Sequence, residues 1–114
     1  MKYTSRLSAT GKTAIIELEG RFDAYEEAQV KQPLDEAIKQ STGRVVINLI
    51  GVNFTDSTAL ALLVQGMKHC REHNGDLHLC HLQNPIRVIF ELTRLDKAFN
   101  IFATEDEAVK AFEA

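Results

Sequence analysis

The stretch Val45-Val46-Ile47-Asn48-Leu49-Ile50, followed by Asp56-Ser57-Thr58 and the run Ala59 to Cys70, decides the fold of this chain. The first run is almost continuously apolar, as in a strand that is covered on both faces. The last run has helical spacing, because its apolar residues fall on one stripe. The acidic-hydroxyl triplet between them therefore lies where a buried strand leads into a helix. By its spacing the triplet is either a helix cap or a site where an added phosphate changes the surface charge.

Strand and helix patterns alternate on both sides of this unit. Tyr3 to Ala9 and Thr13 to Glu19 predict a hairpin over the turn Thr10-Gly11-Lys12, and Gly20 is expected to end the second strand. The pattern then predicts a helix over Tyr25 to Gln40, a strand over Arg44 to Ile50, a helix over Thr58 to His73, a strand over Leu77 to Leu82, a helix from Asn84-Pro85, a strand over Phe99 to Phe102 and a last helix that opens with the capping box Thr104 to Glu107.

Some details of these helices follow from single residues. Pro33 either kinks the first helix or begins a shorter one. Gly66, in the middle of the second helix, predicts the close approach of another backbone. The third helix is expected to have Asn84 as its cap. The inward-facing residues expected on the last two helices are Val88, Ile89, Leu92 and Leu95, then Val109 and Phe112.

The order β-β-α-β-α-β-α-β-α predicts an α/β fold in one domain over residues 1–114, with a mixed, mostly parallel central sheet. Loops that follow parallel strands lie on the same rim of such a sheet, and ligand or partner sites prefer that rim. We therefore expect Asp23, the triplet Asp56-Ser57-Thr58 and Asn84 to converge there.

Composition restricts the classes of function. The 114 residues are 45% hydrophobic and 25% charged, which is typical of a globular domain, and the net charge of -3 argues against nucleic acid as a partner. The chain shows no signal-peptide pattern and no apolar run that could span a bilayer. We expect a cytoplasmic protein without direct membrane insertion. Cys70 and Cys80 match no zinc or redox spacing, so both are interpreted as buried thiols in a reducing compartment.

No catalytic, metal or cofactor site can be assembled from the sequence. Ser57 lacks the Gly-x-Ser-x-Gly elbow of a hydrolase, and the four histidines lie near the far end of the helix that it opens. His78 and His81 are predicted on opposite faces of a strand, so the histidines are interpreted as solvated residues rather than as zinc ligands. On spacing alone, Ser57 is expected to cap the helix by satisfying a free backbone N–H group.

A resemblance to a known protein family changes the balance between a helix cap and a phosphorylation site. Residues 46–60, V-I-N-L-I-G-V-N-F-T-D-S-T-A-L, resemble the signature of STAS domains, the anti-sigma factor antagonist family, in which a V-x-D-L strand leads through V-x-F-x-D-S-[ST] into a helix. Gly20 to Ala24 resembles the family's G-x-[LF]-D-A turn. Glu91 to Asp96 together with Phe99 to Phe102 resembles its E-L-T-G-L-D…F-x-I-F segment. The likeness covers nearly the whole chain in the right order and implies a STAS-like fold.

The resemblance implies a partner switch rather than an enzyme. The unphosphorylated protein would bind an anti-sigma factor that is also a serine kinase, which phosphorylates Ser57, and a serine phosphatase would reset it. Thr58 is a second candidate acceptor. Asp23, Asp56 and Thr58 would line the contact surface, which Ala61, Gln65 and Lys68 on the following helix would extend. The alternative is a STAS-type scaffold or accessory subunit in a stress-sensing or membrane-transport complex.

The chain departs from the family pattern at four positions. Ala59 and Ala61 stand where glycines are frequent, Asn48 replaces an aspartate and Arg94 replaces a glycine. Alanine favours the helix more than glycine does, and its methyl group restricts the approach of a partner's backbone. The four changes leave Ser57 in place, and they bear on which partner the chain recognises.

Overall fold

A five-stranded sheet forms the centre of the computed structural model, which describes residues 1–113. The strands are β1 Lys2–Leu7, β2 Ala14–Phe22, β3 Arg44–Thr55, β4 Asp76–Cys80 and β5 Asn100–Phe102. The helices are α1 Glu27–Ser41, α2 Ser57–Glu72, α3 Asn84–Leu92 and α4 Glu105–Glu113, with a 3-10 turn at Leu95–Lys97. The strands lie in the order β1-β2-β3-β4-β5, with β1 antiparallel to β2 and the others parallel. The predicted α/β fold and mixed sheet are confirmed.

The two faces of the sheet are covered unequally. Successive parallel strands advance in one direction across the sheet, so right-handed crossovers place α1, α2 and α3 on the same face. Their apolar stripes pack there against the larger core cluster of the protein. On the opposite face, which we call the outer face, α4 covers Ile15, Val46 and Cys80 with the fully buried Ala108. Val109 and Phe112 pack there as predicted.

β2 and β3 both extend further toward the rim than the sequence pattern predicted. Gly20 does not end β2, because the strand continues through it with φ 113° as far as Phe22. β3 likewise continues beyond Ile50 to Thr55. Register shifts near Glu19 and Gly20 interrupt the regular pairing of β2 with β3. Beyond these shifts, Arg21 lies opposite Phe54. The longer strands therefore carry these two side chains to the edge where the candidate site lies.

Two helix predictions need correction. α1 begins at Glu27 and continues through Pro33, so Pro33 does not begin a shorter helix. In α3 the capping position is Gln83 rather than Asn84, and the buried residues are Ile86 and Phe90.

The predicted inward face of α3 was only partly right. Val88 and Leu92 are 51% and 79% exposed, whereas Ile89 and Leu95 are half-buried and pack on the core as expected. The pairs 86/90 and 88/92 have the same i, i+4 spacing, so periodicity could not choose between them. The face that carries the larger side chain, Phe90, is the one that the core accommodates.

The interpretation of the histidines as solvated residues is wrong for His78. The residue is 5% exposed, its ring stacks on Phe112 with ring centroids 3.7 Å apart, and its Nδ1 lies 2.9 Å from the Ala108 carbonyl oxygen. His81 lies beyond β4 with φ 56°, and its Nε2 accepts a hydrogen bond from the Glu105 N–H. The prediction that His78 and His81 point away from each other is therefore wrong, because both contact α4.

The two thiols are buried as predicted. Cys70 and Cys80 are free and fully buried, and burial raises the pKa of each to about 12. Within residues 1–113 no group of three or more His, Cys, Asp or Glu side chains could hold a metal ion. None of the helices in this range combines the length and the hydrophobicity that crossing a membrane requires.

The close neighbour of Gly66 is a side chain rather than the backbone that the sequence predicted. A Cβ at Gly66 would lie 2.8 Å from Leu34 Cδ2, so the missing side chain lets α1 and α2 pack tightly. A close contact between two backbones is found instead just before β3 and β4 begin, where Gly75 lies against Gly43.

Candidate regulatory site

Asp56 joins two loops at the rim of the sheet. It follows β3 with an extended backbone and precedes the first residue of α2. Its Oδ1 accepts a hydrogen bond from the Ala59 N–H at 3.0 Å, and its Oδ2 accepts one from the Ala24 N–H at 2.9 Å. The Ala59 bond and then the Ala24 bond lower the pKa of Asp56, and the nearby charge of Arg21 adds to the effect. The carboxylate therefore caps α2 and ties the loop after β2 to it.

Ser57 is not the cap that its position suggested. It is the first residue of α2, and Asp56 supplies the oxygen that satisfies the helix N–H group. Ser57 and Thr58 are both exposed, and the Ser57 hydroxyl has no hydrogen-bond partner within residues 1–113. The cap and the hydroxyl are therefore separate groups, so a change at Ser57 leaves the capping bond in place.

Asp23 lies on the loop that Asp56 holds. Its Oδ1 accepts a hydrogen bond from the Tyr25 N–H at 3.1 Å, and its Oδ2 lies 3.5 Å from Arg21 Nε. The Arg21 guanidinium carbon is 3.8 Å from the centre of the Phe54 ring, in cation–π geometry. The sequence pattern did not predict the contact between Arg21 and Phe54, since it depends on the register of β2 against β3.

The third segment that was expected at this site reaches it only in part. The loop after β4 contacts β3 through Gln83, whose side-chain amide donates to the Ile50 carbonyl oxygen. Asn84 is exposed at the start of α3. Within residues 1–113 no hydrogen bond or ion pair joins it to Asp23 or to Asp56. The site is thus built from two loops rather than three.

One face of α2 continues the exposed surface from Ser57. Ala61, Gln65 and Lys68 are all exposed, and they follow Ser57 in successive steps of four, four and three residues, which places them on one helix face. Ala59 is fully buried. Its methyl group faces the core, so of the two alanines that replace glycines only Ala61 is accessible to a partner.

Comparison with known proteins identifies the family. The family model of the STAS domain matches residues 6–108. The chain belongs to the STAS domain family, as its sequence resemblance implied.

Several relatives and solved structures are similar over most of their length. An anti-sigma F factor antagonist of Paenibacillus polymyxa is 25% identical over 100 residues, which are 87% of this chain and 86% of the relative. A STAS-domain containing protein of Pseudomonas aeruginosa is 27% identical over 101 residues, covering 89% and 99%. An anti-sigma-factor antagonist domain protein from Planctomyces limnophilus has a TM-score of 0.84 at 25% identity, covering 96% of this chain and 98% of its own. The unphosphorylated form of SpoIIAA has a TM-score of 0.77 at 21% identity and 99% coverage of both chains, which shows a shared fold.

Proposed function

We propose that this protein is an anti-sigma factor antagonist in a partner switch. In its unphosphorylated form it binds an anti-sigma factor that is also a serine kinase, and phosphorylation of Ser57 releases it. The observation that carries the proposal is the exposed Ser57 hydroxyl, which has no partner within the described residues and adjoins the capping carboxylate of Asp56. The names of curated relatives, such as the anti-sigma F factor antagonist of Paenibacillus polymyxa, support this role.

Charge at the rim explains how one phosphate would release a partner. A phosphoserine adds roughly -1.5 to -2 charges. It would stand beside two carboxylates, Asp56 and Asp23, whose loops are joined by the Asp56–Ala24 bond. The phosphate and a partner carboxylate about 5 Å from it would repel by about 3 kcal/mol at an effective dielectric of about 20, before screening by salt. Since about 2.7 kcal/mol corresponds to a hundredfold change in affinity, an acidic partner surface would be released without any refolding of the domain.

The domain itself should tolerate the phosphate. The capping bond comes from Asp56, so phosphorylation of Ser57 removes no hydrogen bond within the chain. The phosphate would also lie at the N-terminus of α2, where the helix dipole favours negative charge. The fold would therefore remain intact while the interface fails.

The proposal assigns the remaining roles to partners. The kinase supplies ATP, a serine phosphatase resets the switch, and this chain is the substrate rather than an enzyme. Exchange of these partners would take place in the cytoplasm. Asp23, Asp56 and Thr58 would line the interface, and the exposed α2 residues Ala61, Gln65 and Lys68 would extend it.

The acceptor is tested by intact-mass spectrometry after incubation with a candidate anti-sigma serine kinase and ATP. Wild type and Thr58→Val should each gain one phosphate, whereas Ser57→Ala should gain none. Thr58→Val is the matched control because it removes the neighbouring hydroxyl and keeps the side-chain shape. Phosphate on Ser57→Ala at the wild-type rate would show that the acceptor lies elsewhere.

The charge mechanism is tested by measuring the affinity of the same kinase for Ser57→Asp and Ser57→Asn. The two side chains have nearly the same shape and differ by one charge. We expect Ser57→Asp to bind at least about tenfold more weakly than Ser57→Asn at low salt, with the difference shrinking as salt is raised. Equal affinities would refute release by charge. If the chain is not phosphorylated and does not bind the kinase, a scaffold or accessory role becomes the better interpretation.

A further inference from the structure

Arg21 is the cation that pairs with a carboxylate of the candidate site. Its Nε lies 3.5 Å from Asp23 Oδ2, and its guanidinium carbon lies 3.8 Å from the centre of the Phe54 ring. The side chain is 64% exposed, so the guanidinium is held by surface contacts and can change partner. No other Lys or Arg side chain within residues 1–113 forms an ion pair with Asp23 or Asp56.

Strand register limits how far Arg21 can lie from Ser57. Arg21 pairs with Phe54 across β2 and β3, and Ser57 follows Phe54 by three residues. Three residues span at most about 10 Å, and adjacent strands lie about 4.8 Å apart. The field of Arg21 already reaches Asp56, the direct neighbour of Ser57, since it helps to lower the pKa of that carboxyl.

From this placement we propose that Arg21 is the internal counter-ion of the phosphoryl group on Ser57, and that it leaves Asp23 when Ser57 is phosphorylated. This inference rests on the proposed function, because it concerns the phosphorylated state of the same site. A phosphate dianion carries more charge than a carboxylate and accepts two parallel N–H bonds from a guanidinium, so it competes well for Arg21. Asp23 keeps the hydrogen bond from the Tyr25 N–H at 3.1 Å, so its orientation does not depend on Arg21.

The exchange would widen the surface that phosphorylation alters. Before phosphorylation, Arg21 offsets the charge of Asp23. Afterwards Asp23 presents an uncompensated carboxylate on the neighbouring loop, in addition to the phosphate on α2. A partner that contacts both loops would then meet two new negative groups, although only one residue is modified.

The test installs phosphoserine at position 57 of the full chain during translation, so it does not depend on any kinase. The second pKa of the phosphate is measured by phosphorus NMR in the otherwise wild-type protein, in Arg21→Gln and in Arg44→Gln. Arg44 is exposed at the start of β3, at the opposite end of the sheet, and serves as the matched control. We expect this pKa to be about half a unit higher in Arg21→Gln than in the other two proteins, because a nearby cation favours the dianion. Coinciding titrations in all three proteins would overturn the proposal.

A second measurement needs no substitution at Arg21. The Nε–H signal of Arg21 in nitrogen–proton NMR spectra should shift between the unphosphorylated chain and the phosphoserine form, while that of Arg44 stays in place. An unmoved Arg21 signal would contradict the exchange of partners. Failure of the kinase to modify Ser57 would refute the proposed function but would leave both of these measurements readable.

Discussion

Replacing Gly75 by alanine should strongly destabilise the protein for a steric reason. Gly75 lies between α2 and β4, and a Cβ there would lie 2.1 Å from the Gly43 carbonyl oxygen and 2.4 Å from its carbon. These are backbone atoms, so no side-chain rotation can relieve the overlap. The φ angle of Gly75 is not in the left-handed region, so the cost arises from the overlap alone.

The size of the effect follows from the contacts that must change. Ordinary Cβ contacts begin at about 3.4 Å, so the two backbones must separate by roughly 1 Å in a close-packed region. That movement disrupts the hydrogen bond from the Asp76 N–H to the Gly43 carbonyl at 2.9 Å, which contributes about 1 kcal/mol. Overpacking adds about 1–3 kcal/mol, so we expect a loss of about 2–4 kcal/mol in the free energy of unfolding.

Urea unfolding followed by circular dichroism measures this loss, with Gly11→Ala for comparison. Gly11 has φ 74° and no atom within 4 Å of its missing Cβ, so alanine there costs only backbone strain of about 1–2 kcal/mol. Gly75→Ala should lower the midpoint by more than Gly11→Ala. The steric reasoning is refuted if Gly75→Ala is the less destabilised of the two.

Three further predictions concern protonation, thiol reactivity and backbone strain. Burial lowers the pKa of His78, so its contribution to stability is present above about pH 6.5 and is lost as the pH falls below that value. His78→Phe should therefore lose less stability between pH 7 and pH 5 than wild type, and parallel curves for the two proteins would contradict this. Cys70 and Cys80 should resist a thiol reagent at pH 8 until urea unfolds the chain, because burial raises the pKa of each thiol to about 12. Fast labelling of the native protein would contradict this prediction. Arg94 has φ 63°, so Arg94→Gly should raise the free energy of unfolding by up to about 1 kcal/mol, whereas a loss would show that its side chain makes a stabilising contact.

The family substitution at position 48 illustrates what sequence reasoning could not explain. Asn48 was recognised as a departure from the family's aspartate, but the side chains that favour an asparagine there lie in two other segments. Its side-chain amide lies 3.1 Å from Glu105 Oε1 and 3.4 Å from Glu17 Oε1, while its Oδ1 accepts a hydrogen bond from the Ile50 N–H. An aspartate there would face two carboxylates at a position that is 4% exposed. The asparagine therefore fits its neighbours, and these become visible only when α4 lies on the outer face.

The order of strands and helices was determined by the sequence itself. Apolar periodicity, turn residues and the D-S-T triplet are local features, and each acts within about a dozen residues. They were sufficient to predict the mixed sheet and the position of Ser57 where β3 leads into α2. They also located Asp23 on the neighbouring rim loop, because the ends of parallel strands share one edge of a sheet.

Only the tertiary structure decided how the groups at that rim divide their roles. The cap is Asp56 rather than Ser57, because the extended backbone of residue 56 directs its carboxylate toward both Ala59 and Ala24. The placement of Arg21 over Phe54 depends on a register shift between two strands that are distant in sequence. The bond from the Ala24 N–H to Asp56 and the register of β2 against β3 have no local signature, because each joins segments that are distant in sequence. The sequence thus indicated Ser57 as a candidate site, and packing determined that its side chain is exposed beside the Asp56 cap.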